Sequence, residues 1–330
     1  MKEVALGIDI GGTNTKLGFV DKEGVCLADT SIPTGEDDAD KFLPRLYRAV
    51  DKLIMPLRDK VAIAGIGIGV PNGNYYKGTV EMPANLQWSD YVPLAQWVGE
   101  HYKLPCKLTN DANAAALGEM KFGVAKGMKN FVVITLGTGL GSGFVVDGKL
   151  AYGADGFAGE LGHVVVNPNG RMCGCGKKGC LETYVSATGI RRTVYKLLAD
   201  HNEDSEMRRI SFEDLDASMI TDSATRGDRI AIEAFEYTGR ILGMKLADVM
   251  AILSPEAFIL FGGLTRAQEY LFEPTRRYME SFMMPIFRGK AKLLTSGLTG
   301  ANTAVLGAAA LIWHELETQA AVLENSMFRK

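Results

Sequence analysis

A short pattern recurs in this chain at a shift of 125 residues. Gly12-Thr13 falls on Gly137-Thr138, and Gly18-Phe19-Val20 falls on Gly143-Phe144-Val145. Each copy reads as a strand, a Gly/Thr turn and another strand. The repetition predicts two related α/β domains, each presenting a glycine-rich hairpin. The 330 residues are enough for two domains with a sizeable core in each.

The patterning along the chain gives the remaining elements. Residues 4–10, 15–20 and 25–32 read as successive strands, with a turn at Asp21-Lys22-Glu23-Gly24. Helical spacing covers 41–58 through Phe42, Leu46, Val50, Leu53 and Leu57, with Pro44 assigned to the first turn. Strands are expected at 62–70 and 106–109, and a helix at 94–102. Asp111 opens an alanine-rich helix that runs to about Phe122. Strands at 131–136 and 142–146 form the second hairpin. Beyond residue 182 the expected elements are helices at 190–199, 229–253, 268–284 and 302–315, with strands at 257–261 and 292–295. Residues past Thr318 are expected to fray. The predicted domains are 1–110, completed by a C-terminal helix at 302–316, and 111–301.

The loop 159–182 is the densest in chemistry. His163, Cys173, Cys175 and Cys180 lie within eighteen residues, with Glu160 and Glu182 just outside them. Three thiolates and an imidazole are the ligand set of a closed structural zinc site, whose task is to hold a loop in shape. Composition sets the compartment. The chain enters its first strand almost at once, so no signal peptide is expected. A cytoplasmic, reducing location follows, where such a cluster is metal-bound in preference to disulfide-bonded. A Cys173–Cys175 disulfide would also be strained. Cys26 and Cys106 read as small buried hydrophobes.

Hydrophobic residues make up 47% of the chain and charged residues 23%, with a net charge of −3. No long basic run exists, which argues against nucleic acid or an anionic membrane as partner. No apolar run approaches the ~18 residues of a membrane span.

The first hairpin, Asp9 through Lys16, offers backbone N–H groups at Gly11 and Gly12, donors from Thr13, Thr15 and Lys16, and a carboxylate, Asp9, able to hold Mg²⁺. The second, Gly137 through Gly143, offers Gly137, Thr138 and Gly139 but no cation. Either alone is a tight turn; two together point to nucleotide phosphates. Asn110-Asp111 stands where a short strand meets a helix. Asp111 is either an N-cap or a general base at a strand's carboxyl end. A helix N-terminus there would hold its pKa down. Asn85, Glu160, His163 and Glu182 are the residue types that a ring of sugar hydroxyls demands.

These residues resemble the ROK family of repressors, open reading frames and sugar kinases over nearly the whole chain. The most specific segments are Glu160-Leu161-Gly162-His163 and the run from Cys173 to Glu182, which look like the family's zinc signature. Asp9–Lys16 and Gly137–Gly143 are similar to its two phosphate motifs, the stretch from Asn110 to Glu119 to its catalytic segment, and Ile259-Leu260-Phe261-Gly262-Gly263 to its adenosine-side turn. The chain departs at Pro71-Asn72-Gly73, where many members place Gly directly after Pro.

The resemblance implies an actin-like (hexokinase-type, ribonuclease H-like) fold of two α/β domains around a cleft. It implies ATP, Mg²⁺ and a structural Zn²⁺, with Asp111 deprotonating a sugar hydroxyl. Sugar contacts would come from Asn85, Asn110, Asp111, Glu160, His163 and Glu182, and His163 would bind zinc through its other ring nitrogen. The expected activity is transfer to the 6-hydroxyl of glucose. Fructose, mannose, allose and N-acetylmannosamine are the alternative acceptors, a sugar-responsive repressor is a remote one, and a homodimer is expected.

Overall fold

The computed structural model describes residues 1–35, 37–83, 86–298 and 302–327. The elements run β1 (Lys2–Ile10), β2 (Asn14–Val20), β3 (Cys26–Pro33), α1 (Ala39–Ile54), β4 (Val61–Gly69), β5 (Gly73–Asn74), β6 (Thr79–Glu81), β7 (Tyr91–Val92), α2 (Leu94–Tyr102), β8 (Cys106–Thr109) and α3 (Asp111–Lys121). They continue with β9 (Phe131–Leu136), β10 (Leu140–Val146), β11 (Lys149–Leu150), α4 (Ala187–Asp200), α5 (Ala217–Thr225), α6 (Arg229–Leu253), β12 (Ala257–Phe261), α7 (Glu269–Phe282), β13 (Lys292–Thr295) and α8 (Thr303–Met327).

The chain divides into two compact units. The first comprises Met1–Gly127, Leu150–Ala158 and Gly297–Lys330, the second Met128–Lys149 and Gly159–Ser296. The sequence placed a boundary after residue 110, and the structure places it after 127. The reason is α3, which packs on α8 within the first unit: a Cβ on Gly118 would stand 3.0 Å from Gly307 Cα.

The repeated pattern is a repeated architecture. The first unit's sheet has the order β3-β2-β1-β4-β8, the second's β11-β10-β9-β12-β13. Numbered by position within each sheet, the two orders are the same. In both, a central strand pairs antiparallel with its hairpin partner and parallel with the strand on its other side. The ends of β1, β4 and β8 therefore point the same way, which is where open α/β sheets place their ligands.

Strand alternation decides what covers each face. Leu6, Ile8, Ile66 and Ile68 enter the core formed with Phe42 and Leu46 of α1. The residues between them are small. A Cβ on Gly67 would lie 1.9 Å from Ala308 O, so α8 lies directly on the sheet only because that position has no side chain. The second unit buries a larger set, including Ile134, Phe235, Leu242, Phe258 and Leu260, under α4 to α7.

Three local expectations are corrected. Helix α1 starts at Ala39, with Asp38 capping Ala39 N–H, so Pro44 sits in its second turn. It also ends at Ile54, and a 3₁₀ turn at Met55–Leu57 follows. The C-terminal helix does not fray at Thr318 but runs to Met327. Asn72 adopts φ 54°, the left-handed region that asparagine tolerates better than most residues.

Candidate active site

Asp9 is the penultimate residue of β1. It pairs with Gly69 on β4 and with Lys16 on β2. The pleat sends it to the face that α3 approaches. A Cβ built on Gly69 would lie 3.5 Å from Asp9 Oδ1 and 3.8 Å from Asp111 Cα, so the two aspartates converge there. Burial pushes the Asp9 carboxyl up to about 7, the charge of Asp111 adds to this, and Lys16 opposes it.

Asn110, not Asp111, caps α3: its side chain accepts from Asn113 N at 2.7 Å. Asp111 is the first helical residue, its Oδ1 accepting the adjacent Ala112 N–H at 2.9 Å. It is thus released from the capping role that a sequence alone could assign to it. The expectation that the helix N-terminus holds its pKa down is wrong. Burial raises it, against the opposing N–H groups of Ala112 and of Asp111 itself. Asp111 nonetheless remains exposed to water at its surface. Hydration is reduced without the group being sealed off.

The tip between β1 and β2, Gly11-Gly12-Thr13, is closed by Gly11 N–H donating to Asn14 O at 3.0 Å. A residue that sequence reading missed buttresses it. Thr34 donates its N–H to Thr13 O at 2.9 Å and its hydroxyl to Gly11 O at 2.7 Å, and lies 2.9 Å from Thr15 Oγ1. Thr15 and Thr34 are fully buried. Nothing local marks Thr34, because its partners lie some twenty residues away.

The tip between β9 and β10 is Gly137-Thr138-Gly139, with Gly137 N–H donating to Gly139 O at 3.0 Å. Gly137 and Thr138 are exposed. The turn after β12 places Gly262 at φ 108° against Leu136 O, where a Cβ would lie at 2.6 Å. Gly263 starts the following 3₁₀ turn.

In the loop 159–182 the ligand atoms of His163, Cys173, Cys175 and Cys180 all lie within 4.8 Å of one another. Cys173 Sγ is 3.6 Å from His163 Nδ1, and Cys175 Sγ is 3.6 Å from Cys180 Sγ. Tetrahedral zinc with bonds of about 2.0 to 2.3 Å has ligand–ligand edges of roughly 3.4 to 3.8 Å, so these residues fit the ion. Nδ1 faces the cluster, and Nε2 lies 3.9 Å from Glu160 Oε2. A metal on Nδ1 leaves Nε2–H as a donor.

Arg171, also missed from sequence, ties the loop to α4. Its Nη1 donates to Thr183 O and Gly189 O, and its Nη2 to Thr193 Oγ1. Glu182 does not stand alone either: its Oε2 accepts Leu140 N–H at 3.0 Å. Asn85 lies outside the described residues.

The chain matches the ROK family model over residues 5–315. It belongs to the ROK family. A glucokinase from Halalkalibacterium halodurans is 34% identical over 98% of this chain and 96% of its own length. A ROK glucokinase from Streptomyces griseus, solved with glucose and AMPPNP, is similar at 32% identity and TM-score 0.79, over 93% of this chain and 98% of that one. A ROK transcriptional regulator is similar at 29% identity and TM-score 0.84, over 94% of this chain and 78% of its own. The family's kinases have the actin-like two-domain fold that the duplicated sheets of this chain display. Among the described residues, no helix is long and apolar enough to cross a membrane.

Proposed function

We propose that the chain is a glucokinase, an ATP-dependent kinase that phosphorylates the 6-hydroxyl of glucose. One observation carries the reading most directly. Asp111 is freed from capping by Asn110, keeps a water-accessible carboxylate and has a raised pKa at the carboxyl end of the parallel strands. Such a group orients the attacking hydroxyl and takes its proton, which leaves late in a loose phosphoryl-transfer transition state.

The hairpin residues Gly11, Gly12, Thr13, Lys16, Gly137, Thr138 and Gly139 are assigned to the phosphates, and Gly262 and Gly263 to the adenosine side. Two converging carboxylates, of which Asp9 bears the other's charge, suit a divalent cation. Mg²⁺ held near Asp9 would offset charge on the transferring phosphoryl group. Asn110, Glu160, His163 and Glu182 are assigned to the sugar, and Asn85 by the family resemblance alone. Zn²⁺ on His163, Cys173, Cys175 and Cys180 would fix the loop that carries three of these groups and take no part in the chemistry. We place the enzyme in the cytoplasm as a homodimer.

Coupled ADP release over a panel of glucose, fructose, mannose, allose and N-acetylmannosamine tests the assignment. Glucose should give the highest kcat/KM; a different leading sugar removes the glucose assignment, and no turnover with any removes the kinase. The likeness to a transcriptional regulator favours a second reading. Salt-dependent DNA binding at low micromolar protein, without sugar-dependent ADP release, would establish it instead.

A further inference from the structure

Glu182 belongs structurally to two places at once. It follows the cluster residue Cys180 and sits in the 3₁₀ turn Leu181–Thr183, its own carbonyl accepting from Ser186 Oγ at 2.8 Å. Its Oε1 lies 3.6 Å from Cys173 Sγ in the cluster, while its Oε2 accepts the N–H of Leu140, directly after Gly137-Thr138-Gly139. The fit against the hairpin is tight, since a Cβ on Gly139 would come within 2.3 Å of Oε2.

The loop grips the same hairpin elsewhere. Ser142 Oγ donates to Gly159 O and accepts Leu161 N–H at 3.1 Å, and Ala187 N–H donates to Gly137 O at 2.9 Å. The hairpin of β9 and β10 is therefore held by Ala187 at Gly137, by Glu182 at Leu140 and by the start of the cysteine loop at Ser142.

We propose that Glu182 couples sugar binding to nucleotide binding, with one carboxylate oxygen for each. The inference rests on the kinase reading, which puts phosphates at Gly137-Thr138-Gly139 and a sugar hydroxyl at Glu182. A carboxylate against a phosphate-binding turn repels the phosphates. A sugar hydroxyl that donates to Oε1 draws charge away from Oε2 and reduces the repulsion, while Leu140 N–H keeps the carboxylate in place. Each ligand then tightens the other, and by linkage the factor is the same in both directions.

Calorimetry of glucose with and without AMPPNP, and of AMPPNP with and without glucose, measures this factor in the zinc-loaded protein. The wild-type protein should show mutual tightening of about 5-fold or more. Glu182→Gln removes the charge and keeps the shape. It should bind AMPPNP alone several-fold more tightly, bind glucose several-fold more weakly, and show a factor near one. A purely structural role for Glu182 would not tighten AMPPNP.

Gly139→Ala displaces the carboxylate and should weaken glucose although it lies on the nucleotide hairpin. Zinc content equal to that of the wild-type protein establishes that each variant has kept its loop. Mutual tightening that persists in Glu182→Gln, or is absent from a wild-type protein that binds both ligands, overturns the coupling alone. Failure of the wild-type protein to bind glucose overturns the kinase reading.

Discussion

The hairpin of β1 and β2 carries its own charges, with Asp9 and Lys16 opposite one another, and its buttress is a buried threonine pair. The hairpin of β9 and β10 has no charged residue between Gly137 and Gly143. Its nearest carboxylate arrives on Glu182, from a loop shaped by three cysteines and a histidine. Both hairpins stand on sheets of the same strand order. A duplicated scaffold thus fixes where the two turns lie on their sheets, and the chemistry of each comes from what its own unit adds. The first turn supplies its own charges, while the second takes its carboxylate from a distant segment.

The largest effect expected from breaking this asymmetry is on the first unit's side. Asp111→Asn keeps the shape and the Asn110 cap but removes the proton acceptor. Turnover should fall by about 10³-fold, within the range for a positioned acid–base group, with glucose affinity within a few-fold of wild type. Steady-state kinetics and calorimetry on one preparation read both. Near-normal turnover would remove Asp111 from the mechanism.

Next in size is the metal. Stripping zinc, or replacing Cys175 with Ser, should loosen the second hairpin and leave the first untouched. Amide hydrogen exchange should rise about tenfold or more over 137–143, with no change over 11–16. Glucose affinity should fall with it. Equal loss of protection in both hairpins would mean that the metal supports the fold as a whole, and the comparison would dissolve.

Much of this was legible because local chemistry and fold agree. Glycine spacing marked both hairpins, the cysteine cluster marked its loop, and the strand–helix junction marked Asn110-Asp111. What escaped has long-range causes. Thr34 is an unremarkable residue until β3 pairs with β2 and brings it under Gly11. Arg171 carries no local mark in the sequence, because its guanidinium finds the carbonyls of Thr183 and Gly189 only in the folded chain. The pKa of Asp111 was misjudged because the helix N-terminus is visible in sequence and desolvation is not. The boundary at 110 was misplaced because α3 takes its partner from the far end of the chain.

The burial of Asp9 beside Asp111 has an electrostatic cost that can be read in pH. Asp9 has a folded pKa of about 7, raised from 3.8. Between these values the native protein holds a proton that the unfolded chain has released. Stability contributed at Asp9 therefore falls as pH rises through this window, and the penalty is complete above it. Asp9→Asn should match the wild type in unfolding free energy near pH 4 and exceed it at pH 8 without Mg²⁺, by at most a few kcal/mol, as read by denaturant unfolding. Added Mg²⁺ should narrow the gap at pH 8 by stabilising the wild type alone. A gap that does not change with pH would show that Asp9 is not the titrating group.

The smallest effect tests whether the first hairpin needs its buttress. Thr34→Val is close in shape and removes one hydroxyl. Gly11 O then loses the 2.7 Å bond and Thr15 Oγ1 loses its neighbour, while the backbone bond from Thr34 N–H to Thr13 O survives. The pair is fully buried, so water cannot replace the lost partner without opening the turn. Stability should drop by about 1–2 kcal/mol. If the turn's shape sets phosphate affinity, AMPPNP should weaken several-fold while glucose binding holds. Loss of stability with unchanged AMPPNP affinity would mean that the remaining backbone bonds suffice. The first hairpin would then differ from the second in charge alone, not in how it is held.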